Sequence, residues 1–156
     1  MLRKFLFSLL IIAGLLAGMY GYSLVRNDFT TDDGLSHQWR DYEGKWVVVN
    51  YFALWCAPCL REMPELNKFH QQNEGDIPLF AISFDDVTPQ ELAELKQKFA
   101  IQFPVIAGIE QPLPMAKPNS LPATFIIGPD GEVKKQLLGE QSAASLYSAI
   151  EILQTL

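Results

Sequence analysis

The run "WVVVNYF", residues 46–52, limits the fold of this chain more than any other stretch. Apart from Asn50 its residues are β-branched or aromatic, with no alternation of apolar and polar ones, so both faces of the strand they form need cover. Such a strand belongs at the centre of a layered sheet. Four residues further on stand both cysteines of the chain, Cys56 and Cys59, in "LWCAPCLREMP", residues 54–64. One cysteine pair cannot frame a disulfide-built fold, so the core must come from apolar packing.

The rest of the chain supplies the layers. Pro58 suits the first turn of a helix beginning at the cysteines, with Leu60, Met63, Leu66 or Asn67, and Phe69 spaced to face inward. Pro64 removes one donor from that helix and should kink it before Asn73-Glu74-Gly75 ends it. "IPLFAISF", residues 77–84, reads as a second buried strand. Thr88, Pro89 and Glu91 then form a strong helix start, with Leu92, Leu95 and Phe99 as its apolar stripe. Residues 103–109 form a short strand candidate, and a proline-rich loop follows.

Pro129-Asp130-Gly131 marks an antiparallel hairpin, and the closing helix carries Leu146, Ile150 and Leu153 on one face. Residues 27–45 read as a tether ending in an edge strand or turn. Two strand-helix-strand crossovers require parallel pairing and the hairpin adds antiparallel pairing. The expected class is α/β with a mixed sheet.

Ahead of this domain, Phe5 to Val25 contains no charge and follows Arg3 and Lys4. The run is long enough to cross a hydrocarbon core of ~30 Å as a helix. A cleaved signal peptide is the alternative, but the run exceeds the usual apolar core and Gly21-Tyr22-Ser23 is a weak cleavage site. The expected organisation is therefore an N-terminal membrane anchor over residues 1–26 and one domain over 27–156. The flanking charges favour a cytoplasmic N-terminus and an exported domain. Three of the 12 basic residues precede residue 27 and all 18 acidic residues follow it. That acidic balance argues against a nucleic-acid partner and reads as solubility.

What the two cysteines do is narrowed by their neighbours. A structural zinc site needs four ligands, and the only histidines, His37 and His70, stand at unsuitable spacings. A c-type haem would need histidine at position 60, which is Leu60. A passive structural disulfide remains open, although closing two residues removes little entropy from the unfolded chain. At the first turn of a helix, free amides and the helix dipole lower a thiol pKa. On that reading Cys56, expected to be the exposed member, attacks, and Cys59 resolves the mixed disulfide.

"WCAPC" at a strand-to-helix junction, with "LPATF" at residues 121–125 ahead of a hairpin, resembles the thioredoxin superfamily. More narrowly, "GKWVVVNYFALWCAPCLREMP", residues 44–64, is similar to the membrane-anchored TlpA/ResA/CcmG-like thiol-disulfide oxidoreductases. The resemblance covers roughly residues 28–156. It implies a thioredoxin-like three-layer fold in which helices flank the mixed sheet. It also implies that Pro122 is the cis-proline opposite the disulfide and that Glu62 is an acid near the resolving Cys59. Trp55, Ala57, Pro58 and Leu121 would form the surface on which substrates dock.

Thioredoxins proper usually carry a buried aspartate in the strand before the motif, where this chain has Asn50. Any acid assisting Cys59 is then Glu62. The remaining marked residues read as structural: His37 and His70 on the surface, Trp46 and Phe52 in the core, Asp85-Asp86 in a solvated loop, and Trp39 unassigned.

The resemblance implies, as the expected function, an extracytoplasmic enzyme on a bacterial inner membrane. It would reduce disulfides of partner proteins, with cytochrome c maturation as one pathway, a membrane thiol-disulfide electron donor and no metal or organic cofactor. The alternatives are a disulfide-donating oxidant, a non-catalytic peptide-binding or chaperone module, and a peroxidase. Against the last, the chain lacks the Thr-x-x-Cys arrangement of the peroxiredoxin relatives.

Overall fold

The computed structural model describes residues 9, 11–19, 21, 27–73 and 75–155. Residues 11–19 are helical. Among the described residues no helix is long and apolar enough to cross a membrane. Much of the expected anchor, including Arg3, Lys4, Tyr22, Ser23 and Arg26, lies outside the described residues.

The domain is a seven-stranded mixed sheet with strand order β2-β1-β5-β4-β3-β6-β7. The strands are β1 (Phe29–Thr31), β2 (Ser36–His37), β3 (Val47–Phe52), β4 (Leu79–Ser83), β5 (Val105–Ile109), β6 (Ala123–Ile127) and β7 (Val133–Leu138). The α-helices are α1 (Ala57–Gln72), α2 (Pro89–Lys98) and α3 (Ala143–Gln154). As expected of the crossovers, β3 and β4 pair in parallel, and so do β4 and β5. The β6–β7 hairpin is antiparallel, and β6 also runs antiparallel to β3.

All six residues of β3 are buried. Alternation divides them between two cores. Val48 and Phe52 face a cluster containing Met63, Leu66 and Phe69 of α1, Leu92 of α2, and Leu146 and Ile150 of α3. Val47, Val49 and Tyr51 face the other side, among Phe29, Phe80, Ile106, Met115 and Phe125. Trp39 and Tyr42 of a 3-10 helix (Trp39–Tyr42) and Leu113 of the proline-rich loop pack against this second cluster. Three helices thus cover one face, while a 3-10 turn and a loop cover the other.

Local chemistry sets the helix starts. Thr88 and Glu91 form a reciprocal capping box on α2, the device expected from their spacing. Ser142 caps α3 in the same way with Ser145. Helix α1 continues through Pro64 to Gln72, where Asn73 closes it. It buries Cys59, Glu62, Met63, Leu66, Asn67 and Phe69, while Leu60 is only half-buried. Both alternatives at positions 66 and 67 are therefore inward, because Asn67 donates to Ala100 O and accepts from Gln102 N–H.

The N-terminal part of the domain differs from expectation. Residues 27–45 supply the expected edge strand but not the tether before it, because strand pairing already begins at Phe29. β1 pairs with β5 and with β2, which extends the sheet by two strands. The approach of β1 to β5 is close enough that a Cβ on Gly108 would collide with Thr30 Oγ1. Phe29 has no solvent exposure.

The His37 ring stacks on Phe29 at 4.9 Å, Trp39 packs on Phe29 at 4.8 Å, and Phe80 meets it edge-on at 5.2 Å. His37 is consequently half-buried rather than on the surface, with its ring nitrogens bonded to Thr31 Oγ1 and the Tyr42 hydroxyl. His70 is also half-buried, edge-on to Phe103. Phe52 is fully buried and Trp46 packs at the edge of the same core, as expected.

The burial of Phe29 makes the first strand open to measurement. Phe29→Ala should lower stability by about 3–5 kcal/mol, the usual cost of deleting a buried aromatic ring. Urea unfolding checks it: a change under about 1 kcal/mol would mean that β1 is an appendage and not part of the core.

Candidate redox site

The site forms where β3 ends. Because β6 runs antiparallel to β3, with Tyr51 opposite Ala123, the segment entering β6 lies at the same end of the sheet from which Ala53 leads to the cysteines. Leu121-Pro122 therefore arrives beside the exit of β3, and the peptide bond between them is cis. Pro122 is buried and its carbonyl accepts from Gly139 N–H at 2.9 Å.

Cys56 and Cys59 are joined by a disulfide, with S–S 2.01 Å. Cys56 is the N-cap of α1, and its Sγ accepts from Cys59 N–H at 3.2 Å. Sulfur thus occupies the place that a Ser or Asp oxygen takes at most helix starts. Pro58 falls within the first two helical positions, where a missing N–H costs no intrahelical bond. A thiolate at Cys56 would retain this donor and the positive end of the helix dipole, the arrangement that depresses a thiol pKa.

Cys56 is less open than expected. It keeps 4% of its surface exposed and Cys59 keeps none. Bonding to Cys59 and to its amide draws the sulfur into the apolar cluster with Phe52 and Ala53.

Below the disulfide lies a buried polar group. Glu62 retains 2% exposure, so the inward place on α1 goes to a carboxyl. Asn50 Nδ2 donates to Glu62 Oε1 at 2.9 Å and to Thr124 Oγ1 at 3.0 Å. Gln141 N–H donates to Glu62 Oε2 at 2.9 Å. Burial pushes the Glu62 carboxyl up to about 7, against the lowering effect of the Gln141 and Asn50 hydrogen bonds; nearby Glu140 adds to the rise. Because α1 places Glu62 one turn beyond Cys59, a group that can hold or release a proton near neutral pH sits on the same helix face as the inner sulfur.

The outer surface is apolar and acidic. Trp55 is 66% exposed and Leu54 47%, so Trp55 belongs to the surface and not to the core. Trp55 Nε1 donates to Asp85 Oδ2 at 2.8 Å, and its ring meets Phe84 edge-on. The Asp85-Asp86 loop is solvated as expected, yet Asp85 also holds Trp55 in place, and Lys117 covers the Phe84 ring at 4.0 Å. Ala57 is exposed, while Pro58 and Leu121 are half-buried. Beside Leu54 a cleft of about 210 Å³ is lined by Val87, Leu95, Glu91, Glu94 and Lys98.

Of the residues singled out in the sequence, Cys56, Cys59 and Glu62 share the start of α1, and Leu121-Pro122 shares their end of the sheet. Sequence reasoning missed Thr124, Gln141 and Asp85. Thr124 is a polar residue inside an otherwise apolar strand, which is the one signal that could have marked it. Gln141 acts through its backbone, and no side-chain pattern announces that.

The AhpC/TSA family matches residues 26–136. Thiol-disulfide oxidoreductase ResA of Geobacillus thermodenitrificans (strain NG80-2) is 30% identical over 129 residues, covering 80% of this chain and 73% of the relative. ResA of Bacillus thuringiensis (strain Al Hakam) is 27% identical, with 92% of this chain and 93% of the relative covered. Among solved structures, a thiol:disulfide interchange protein of the thioredoxin family from Chlorobium tepidum TLS superposes with a TM-score of 0.66 at 20% identity. It covers 82% of this chain and 97% of that one, and shares the fold. The chain belongs to the AhpC/TSA family, with the thioredoxin-like fold, and is a protein thiol-disulfide oxidoreductase.

Proposed function

We propose that the Cys56–Cys59 pair delivers electrons to disulfides of client proteins on the outer face of a bacterial inner membrane. The observation that carries this reading is the disulfide at the first turn of α1, with Cys56 Sγ on the Cys59 amide and a buried carboxyl one turn further on.

In the reduced protein, the Cys56 thiolate attacks one sulfur of a client disulfide, and the other client sulfur leaves as a thiolate. Glu62 takes the proton of the Cys59 thiol. The Cys59 thiolate then attacks Cys56 Sγ, the client's second sulfur departs, and the Cys56–Cys59 disulfide remains. Two electrons have passed to the client. The pair is recharged by the reverse exchange with a membrane thiol-disulfide donor.

Trp55, Ala57, Pro58 and Leu121 form the docking surface around Cys56, and Pro122 presents its neighbouring backbone to the client segment. The uncharged run from Phe5 to Val25, preceded by Arg3 and Lys4, supports residues 1–26 as a single-pass anchor and 27–156 as the exported domain. Apocytochrome c, whose cysteines must be reduced before haem attachment, is a client that suits a reductant in an oxidising compartment.

The order of attack is tested by trapping. Cys59→Ser should leave Cys56 able to form a stable mixed disulfide with a client or with glutathione, visible on a non-reducing gel. Cys56→Ser should form none. Equal trapping by both variants, or trapping only at Cys59, would reverse the assignment.

Glu62 makes stability depend on pH. Its folded-state value of about 7 exceeds the ordinary 4.5, so over this window the native protein holds a proton that the unfolded chain releases. The stability of the oxidised protein should therefore decline as pH rises from about 4.5 to about 7 and level off above, a loss on the order of 3 kcal/mol. Glu62→Gln should flatten the profile in urea melts at several pH values. An unchanged slope in the variant would remove Glu62 as the titrating group.

A further inference from the structure

Asn50 has no solvent exposure and makes two hydrogen bonds, both through its amide nitrogen. Its carbonyl oxygen Oδ1 is buried with no hydrogen-bond partner. An orphaned acceptor in a protein core is destabilising, and here it lies on the same amide that holds Glu62.

The two carboxyl oxygens of Glu62 have different partners. Oε2 accepts from the backbone N–H of Gln141, which can only donate. A proton directed from Oε2 toward this N–H would meet a donor that cannot reverse, whereas Oε1 faces a side-chain amide that can turn, so the proton is placed on Oε1. There the Asn50 Nδ2 hydrogens point at it. A half-turn of the amide resolves this conflict. Oδ1 then accepts the Glu62 O–H, and the Thr124 hydroxyl, which now accepts from Nδ2, rotates to donate to the second lone pair of Oδ1.

Each matched pairing of amide orientation with protonation state makes two hydrogen bonds and leaves one end of the amide unpaired, so the turn costs no bond in either state. We propose that Asn50 is a positioning residue whose side-chain amide turns over as Glu62 gains or loses its proton, so that the carboxyl is partnered in both states. An aspartate at this position could not do so: ionised, it donates nothing and repels Glu62.

This inference rests on the reading of Glu62 as a group that changes protonation during exchange. The proton comes from the Cys59 thiol and resides on Oε1; no electron moves in the amide step. The groups that face or neighbour Glu62 are Cys59 on its own helix, Asn50 on β3, Thr124 on β6, and Gln141 and Glu140 ahead of α3. Glu140 is paired with Arg61 at the surface, and Glu65 is engaged at Ala143 N–H.

The test follows the Asn50 amide hydrogens and the Glu62 carboxyl together, by NMR on the isotope-labelled full-length protein across the pH range in which Glu62 titrates. Contacts from the Asn50 Nδ2 hydrogens to the Thr124 methyl should be present at high pH and lost at low pH, with the midpoint of the Glu62 signal. If Glu62 titrates while the Asn50 contacts stay constant, the amide is fixed and the inference fails, leaving the role of Glu62 intact. If Glu62 does not titrate at all, both fall.

Asn50→Asp supplies a second arm, read as the pH profile of thiol exchange. Two carboxyls in contact titrate as a pair, so the profile should split or move by about tenfold or more in proton concentration. A profile that coincides with that of the unsubstituted protein would overturn the proposal.

Discussion

The double burial of β3 is the constraint on which the rest depends. A strand with no exposed residue has to be hydrogen-bonded on both edges and covered on both faces, and β4, β6, α1 and the Phe29 aromatic group meet those needs. The same geometry positions the chemistry. The strand's end fixes where α1 begins, and the first turn of α1 is the disulfide. The antiparallel neighbour β6 brings Leu121-Pro122 to that end. Redox function here is a property of a strand terminus, held rigid by the most tightly buried element of the domain.

That rigidity makes the polar group under the disulfide conspicuous. A core of this size can bury a carboxyl only with its oxygens bonded, and Glu62 has a donor at each oxygen. The residual desolvation shows as a raised proton affinity. Replacing the trio of Asn50, Glu62 and Thr124 by apolar residues of similar size would be the easier way to pack this volume. Its presence beside a reactive pair fits a role in moving the proton that thiol-disulfide exchange releases.

Much of this was legible in the sequence because local signals agreed with one another. "WVVVNYF" announced a central strand, Thr88-Pro89-x-Glu91 a helix start, and Pro129-Asp130-Gly131 a hairpin, each through a short-range rule. β1 was not legible. Three residues have no periodicity, and Phe29 becomes a core residue only when β5, from far along the chain, closes beside it. His37 was misplaced for the same reason, since its burial depends on Phe29 and Phe80. In the site, Cys56 and Cys59 declared themselves by spacing, whereas Pro122 and Glu62 were found through resemblance. Gln141 was silent because it contributes only a backbone amide.

Whether the pair runs as a reductant is decided by its reduction potential. Equilibrating the protein against dithiothreitol or glutathione buffers, with Trp55 fluorescence as a reporter, should place the Cys56–Cys59 couple near the thioredoxin value of ~−270 mV. A value near ~−120 mV, that of a strong disulfide donor, would make the protein an oxidant and rule out electron delivery to clients.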